Sequence, residues 1–131
     1  MSYDFSITGP DRVISGIGAL SQLPEALERL GVTRALLIAG RTLATKTDLV
    51  ARVEETLGSS HVSTFSDCIQ HVPESSVDKA YDRAVDTDPD VLVVFGGGSP
   101  IDTAKLVVKK LVDAGRAAIP QVAIPTTLSA G

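Results

Sequence analysis

The residues best suited to chemistry stand together between Gly96 and Lys105. The apolar run Val91-Leu-Val-Val-Phe95 ends in Gly96, Gly97 and Gly98, and Ser99-Pro-Ile-Asp-Thr-Ala-Lys105 follows. The order reads as strand, tight turn, helix N-terminus. Glycines permit positive φ and carry no Cβ, so backbone N–H groups can close on an anion. A helix beginning there adds unpaired N–H groups and the positive end of its dipole. A nucleotide pyrophosphate is the natural occupant. Ser99 reads as the N-cap, Pro100 as N1 and Asp102 as N3, in the manner of a capping box.

A second polar group, Thr126, Thr127, Ser129 and Gly131, follows the short apolar run Gln121–Ile124. In an open α/β sheet, ligands lie outside the carboxyl ends of the strands. Both polar groups fall on that edge, and a chain stopping at Gly131 is read as stopping within a binding loop. The two histidines, His61 and His71, lack metal-ligand spacing. His71 falls in a loop at the binding edge, where a cofactor or substrate contact is open to it. Asp86, Asp88 and Asp90 lack the glycine and the closing glutamate of a calcium loop, and read as a solvated turn. Cys68 is the single cysteine and reads as a small interior residue. No catalytic or metal set emerges from the residues alone.

These groups need rigid elements to hold them. Phe5–Ile7 and Arg12–Ser15 read as short strands. Leu20, Leu23, Leu27 and Leu30 repeat at helical spacing, with Pro24 placed to begin a helical segment and Gly31 to stop it. Ala35–Ala39 is a buried strand ending at Gly40, residues 43–57 form a helix closed by Gly58, and His61–Phe65 is a third strand. Residues 74–87 form a helix with Val77, Ala80, Tyr81 and Ala84 on one face. The helix from Ser99 to Ala114 is expected to bury Ile101, Ala104, Val108, Leu111 and Val112, and to end at Gly115. The alternation predicts a Rossmann-like, doubly wound α/β fold: a mostly parallel sheet with helices on both faces.

The 131 residues suffice for one domain with its own core. Apolar residues make up 44% and charged ones 21%, as in a globular chain. The net charge of −4 and the lack of a basic run argue against nucleic acid and against an anionic membrane. The N-terminus has no signal-peptide pattern, and the single cysteine suits a cytoplasmic setting.

Gly96-Gly-Gly-Ser-Pro-Ile-Asp-Thr-Ala-Lys105, with Ile124-Pro-Thr-Thr127 downstream, resembles the iron-containing (group III) alcohol dehydrogenase family. Gly16-x-Gly-Ala-Leu20 and the Pro73 region fit more weakly. Gln70-His-Val-Pro73 and Thr126-Thr-Leu-Ser-Ala-Gly131 are most similar to the maleylacetate reductases within it, whereas the glycine-serine helix start with Asp102 is more similar to the general alcohol dehydrogenases, so both subfamilies stay open. The resemblance implies that residues 1–131 are the N-terminal dinucleotide-binding domain of a larger dehydrogenase or reductase. It further implies a helical domain, absent here, that holds a divalent metal, Fe or Zn, on one Asp and three His. On this reading the intact protein transfers hydride between NAD or NADP and an alcohol or carbonyl substrate. The intact protein is expected to be a homo-oligomer, and the 131-residue chain alone to show no turnover.

By resemblance, Gly97, Gly98 and Ser99, following Gly96, would hold the pyrophosphate. Asp102 would lie near the nicotinamide, and Thr126 and Thr127 would bond adenine-side or phosphate groups. Lys105 fits either a phosphate contact or a solvated helix position. Where the family often has Asp after its first long strand, this chain has Gly40 and Arg41, which removes a carboxylate facing a 2′-phosphate, makes Arg41 either a clamp for that phosphate or a solvated loop residue, and leaves both NAD and NADP open. Val72-Pro73 replaces the family's frequent Asn-Pro. Other readings are a relative of the same fold, namely glycerol dehydrogenase, glycerol-1-phosphate dehydrogenase or dehydroquinate synthase, or a non-catalytic nucleotide-binding module.

Overall fold

A computed structural model describes residues 12–13, 19–46, 48–68, 74–96 and 98–124. The elements are β1 (Arg12–Val13), α1 (Ala19–Leu30), β2 (Ala35–Gly40), α2 (Arg41–Lys46), α3 (Leu49–Leu57), β3 (His61–Cys68), α4 (Glu74–Thr87), β4 (Val91–Phe95), α5 (Gly98–Asp113) and β5 (Gln121–Ile124). A short 3-10 turn, Gly58–Ser60, joins α3 to β3. The five strands lie in the order β1-β5-β4-β2-β3, and every pairing is parallel.

β2, β4 and β5 are buried along their length, on both faces of the sheet, which explains their near-continuous apolar runs. Side chains alternate across it with period two. Leu37, Val93, Phe95, Val122 and Ile124 pack with Leu23 and Leu27 of α1 and Val50, Val53 and Leu57 of α3. Leu36, Ile38, Leu92 and Val94 pack on the other face with Val77, Ala80 and Ala84 of α4 and Ala104, Val107 and Leu111 of α5. The expected doubly wound α/β arrangement is therefore present. Among the described residues no helix is long and apolar enough to cross a membrane.

Several expectations are corrected. α1 begins at Ala19, so Pro24 lies inside the helix and does not begin it. Leu23 and Leu27 are both buried, and their packing holds the helix together through a residue with low intrinsic propensity. Leu30, expected in the same stripe, is exposed. The expected helix over 43–57 is two helices, α2 and α3. At the start of α3, the Arg52 N–H donates to the Asp48 carbonyl at 3.1 Å. On α5, Ala104 and Leu111 are buried as expected, but Val107 is fully buried and Val112 is 47% exposed, which departs from the expected stripe. Gly31 and Gly115 do end their helices. The Val32 N–H donates to the Leu27 carbonyl, and the Arg116 N–H to the Leu111 carbonyl, as in a Schellman motif. The strand expected at residues 5–7 lies outside the described residues.

In the turn before β4, Asp86 and Asp88 are exposed as expected, but Asp90 is engaged. The Asp90 carboxylate accepts from the Arg34 N–H at 2.7 Å and from the Thr33 N–H at 3.0 Å. The Arg34 guanidinium in turn donates to the Thr87 and Asp88 carbonyls, which are left open where α4 ends. This knot clamps the amino ends of β2 and β4. Two charge-assisted bonds predict that Asp90→Ala lowers the unfolding free energy by about 2–3 kcal/mol in a denaturant titration. Asp113→Ala, which breaks only the exposed Lys109 pair, is expected to change it by less than about 0.5 kcal/mol. Equal effects would refute the clamp.

Candidate functional site

The connections define where a ligand can enter. From β2 the chain passes to β3 on one side, then returns past β2 to β4 and continues outward to β5. The reversal leaves a crevice between the carboxyl ends of β2 and β4, the position where open α/β sheets bind ligands. The two strands run in register from Ala35 opposite Val91 to Ala39 opposite Phe95. Gly40 and Gly96 therefore emerge side by side.

Gly96 has φ +132°, a conformation that L side chains rarely adopt. Its N–H donates to the Ile124 carbonyl at 3.2 Å, which ties the turn to the end of β5. That N–H is already engaged. An anion at this turn must draw on the groups that follow, and α5 begins at Gly98. The first-turn N–H groups of a helix have no acceptor within it, and Pro100 has no N–H to offer. Gly98 and Ser99 thus carry the free donors of the first turn. The glycine turn is legible in the sequence, but the capping register is displaced by two residues: Ser99 and Pro100 lie inside the first turn and Asp102 beyond it. Helix ends commonly differ by this much between readings.

Gly40 closes the other side of the crevice. A Cβ placed there would meet only Pro100 Cγ, 4.0 Å away. The end of β2 and the first turn of α5 thus leave room for a side chain at this point. Arg41, read from the sequence as a loop residue or a phosphate clamp, opens α2 and lies 3.7 Å from the Asp67 carboxylate at the end of β3. Lys105 Nζ stands 3.9 Å from Asp102 Oδ1 on the same helix. Gly97, Thr126 and Thr127 lie outside the described residues, as do His71, Val72 and Pro73.

The remaining polar groups lie elsewhere. His61 Nε2, at the amino end of β3, is 2.6 Å from Thr64 Oγ1, which donates to Glu54. A cavity of about 230 Å³ lined by Asp88, Pro89, Leu111, Arg116 and Ile119 sits at the amino edge of the sheet, away from the crevice. Among the described residues no group of three His, Cys, Asp or Glu could hold a metal ion. Asp67 is the edge residue that sequence reasoning missed. An acid near the carboxyl end of a strand was the available signal.

A parallel doubly wound sheet with a glycine turn at its switch point defines a Rossmann-like class of domain. Residues 10–131 match the profile of the family described as iron-containing alcohol dehydrogenase, and the chain belongs to that family. It is 40% identical over 96 residues to maleylacetate reductase 2 of Cupriavidus pinatubonensis, covering 73% of this chain and 26% of that protein. It is 34% identical over 127 residues to maleylacetate reductase 1 of Rhodococcus opacus, covering 96% and 33%. The crystal structure of an iron-containing alcohol dehydrogenase from Corynebacterium glutamicum superposes with a TM-score of 0.71 at 30% identity, covering 97% of this chain and 33% of that one. The chain thus spans between about a quarter and a third of the length of these curated relatives.

Proposed function

We propose that residues 1–131 form the dinucleotide-binding domain of an NAD(P)H-dependent dehydrogenase or reductase acting on an alcohol or carbonyl substrate. The observation that carries this reading is the positive-φ Gly96 turn at the β2/β4 switch point, feeding directly into α5. The residues fit the cofactor's requirements: a turn only glycine readily forms, helix N–H groups behind it, and an open position at Gly40. When bound, the dinucleotide supplies the hydride at nicotinamide C4.

The chain's own contribution is positional. Gly96, Gly97, Gly98 and Ser99 seat the pyrophosphate. Gly40 and Arg41 receive the adenosine end, Asp102 lies toward the nicotinamide, and Thr126 and Thr127 hydrogen-bond adenine-side or phosphate groups. Fixing the cofactor in this way lowers the entropic cost of the reaction that it serves. Among the described residues, none forms a ligand set for the metal that the family name implies. Maleylacetate is the first substrate to try with the intact protein, since curated relatives of that name match at 31–40% identity.

Calorimetric titration of the 131-residue chain with NADH and, separately, NADPH tests the reading. Saturable binding of at least one is expected, with no turnover when maleylacetate is added. A folded chain that binds neither at about millimolar concentration, where affinity is only about 4 kcal/mol, would refute it.

A further inference from the structure

We propose that Asp67 sets the choice between the two dinucleotides by competing for Arg41. This inference rests on the dinucleotide reading above and adds a residue to it.

The register places Gly40 opposite Cys68, so Arg41 and Asp67 flank adjacent strand ends on the ligand edge. Their side chains are 56% and 55% exposed, and the contact is 3.7 Å. That is beyond hydrogen-bond length, and an exposed pair of this kind is weak. Arg41 is therefore held loosely and can be drawn off by a stronger anion. The adenosine ribose of NADPH carries such an anion, a phosphate monoester with nearly two negative charges and three acceptor oxygens, which a guanidinium can grip through two parallel bonds.

Two forces then oppose each other. Arg41 gains by turning to the phosphate, but Asp67 loses its partner and leaves a carboxylate beside a dianion. The like charges repel, and part of the gain is lost. With NADH there is no such contest. Arg41 stays on Asp67, and the carboxylate remains an acceptor for ribose hydroxyls, the role acids play in other dinucleotide folds. Asp67 thus weakens NADPH and tolerates or favours NADH. Gly40 takes neither side, because it brings no charge. A second charged pair, Asp102 with Lys105, lies on α5 across the crevice.

The test measures NADH and NADPH dissociation constants for the chain and two variants. Asp67→Asn keeps the side-chain volume and leaves the main-chain carbonyl that accepts from Ser76 Oγ, so the melting temperature should stay at the wild-type value. It is expected to tighten NADPH by about tenfold and to leave NADH unchanged or slightly weaker. Arg41→Ala reads the same contest from the other partner and is expected to weaken NADPH about tenfold more than NADH. Saturable binding of both dinucleotides with the same NADPH-to-NADH ratio in wild type and Asp67→Asn would overturn the role of Asp67 and leave the dinucleotide reading intact. Failure of the wild-type chain to bind either would overturn both.

Discussion

Gly96→Val is expected to abolish measurable dinucleotide binding while leaving the chain folded. At φ +132° a β-branched side chain is forced into a region that L residues rarely occupy, and holding it there costs on the order of 1–3 kcal/mol. The peptide cannot simply rotate to relieve this. Gly96 is buried, and its N–H is committed to the Ile124 carbonyl. Relief therefore comes at the cost of the β4–β5 link or of the α5 start, and both position the anion site. A domain of this size typically has 5–15 kcal/mol of stability, so most molecules stay folded. The loss in affinity should exceed a hundredfold, about 2.7 kcal/mol, since both the turn and the approach of its N–H groups are disturbed. Titration and a thermal melt on the same sample separate the two effects. A valine variant with wild-type affinity would show that the turn carries no ligand.

Much of the scaffold was legible because its signals are local. α4 runs from Glu74 to Thr87 as expected, because Val77, Ala80 and Ala84 recur at helical spacing after Pro73. β4 is an uninterrupted apolar run and could hardly be anything but a buried strand in an alternating chain. The errors come from places where two readings share one pattern. Val107-Val108 and Leu111-Val112 are adjacent apolar pairs on α5, and periodicity cannot say which member of each pair faces the sheet. The polar run Thr45-Lys46-Thr47-Asp48 falls between Leu43 and Val50, whose spacing suits one continuous helix. The partners of Asp90 lie more than fifty residues away, so no local pattern distinguishes it from Asp86 or Asp88. Asp67 escaped for the same reason, since its partner Arg41 belongs to a neighbouring strand end. At the site, the glycine turn was legible from composition and order, whereas the charge opposing Arg41 needed the register between β2 and β3.

Leu37→Ala should produce the opposite pattern to Gly96→Val: a large fall in stability with little change in affinity. Leu37 is fully buried on the α1/α3 face. Its backbone is paired on both sides, opposite Thr64 of β3 and Val93 of β4. With the strand held on two flanks, the surroundings cannot collapse far into the space left by three carbons. The cost should therefore lie within the range of about 2–5 kcal/mol seen for such truncations, a drop of roughly 3–4 °C in melting temperature per kcal/mol for a chain of this length. The ligand edge is two residues further along, at Ala39 opposite Phe95, and the ladder there does not depend on the lost side chain. Dinucleotide affinity measured well below the melt is expected to stay within about threefold, equivalent to less than 1 kcal/mol. Were Leu37→Ala to lose binding as severely as Gly96→Val while still folded, the site would depend on the packing of the whole sheet and not on the turn. The assignment of the anion to Gly96–Ser99 would then fail even with both dinucleotides bound by the wild-type chain.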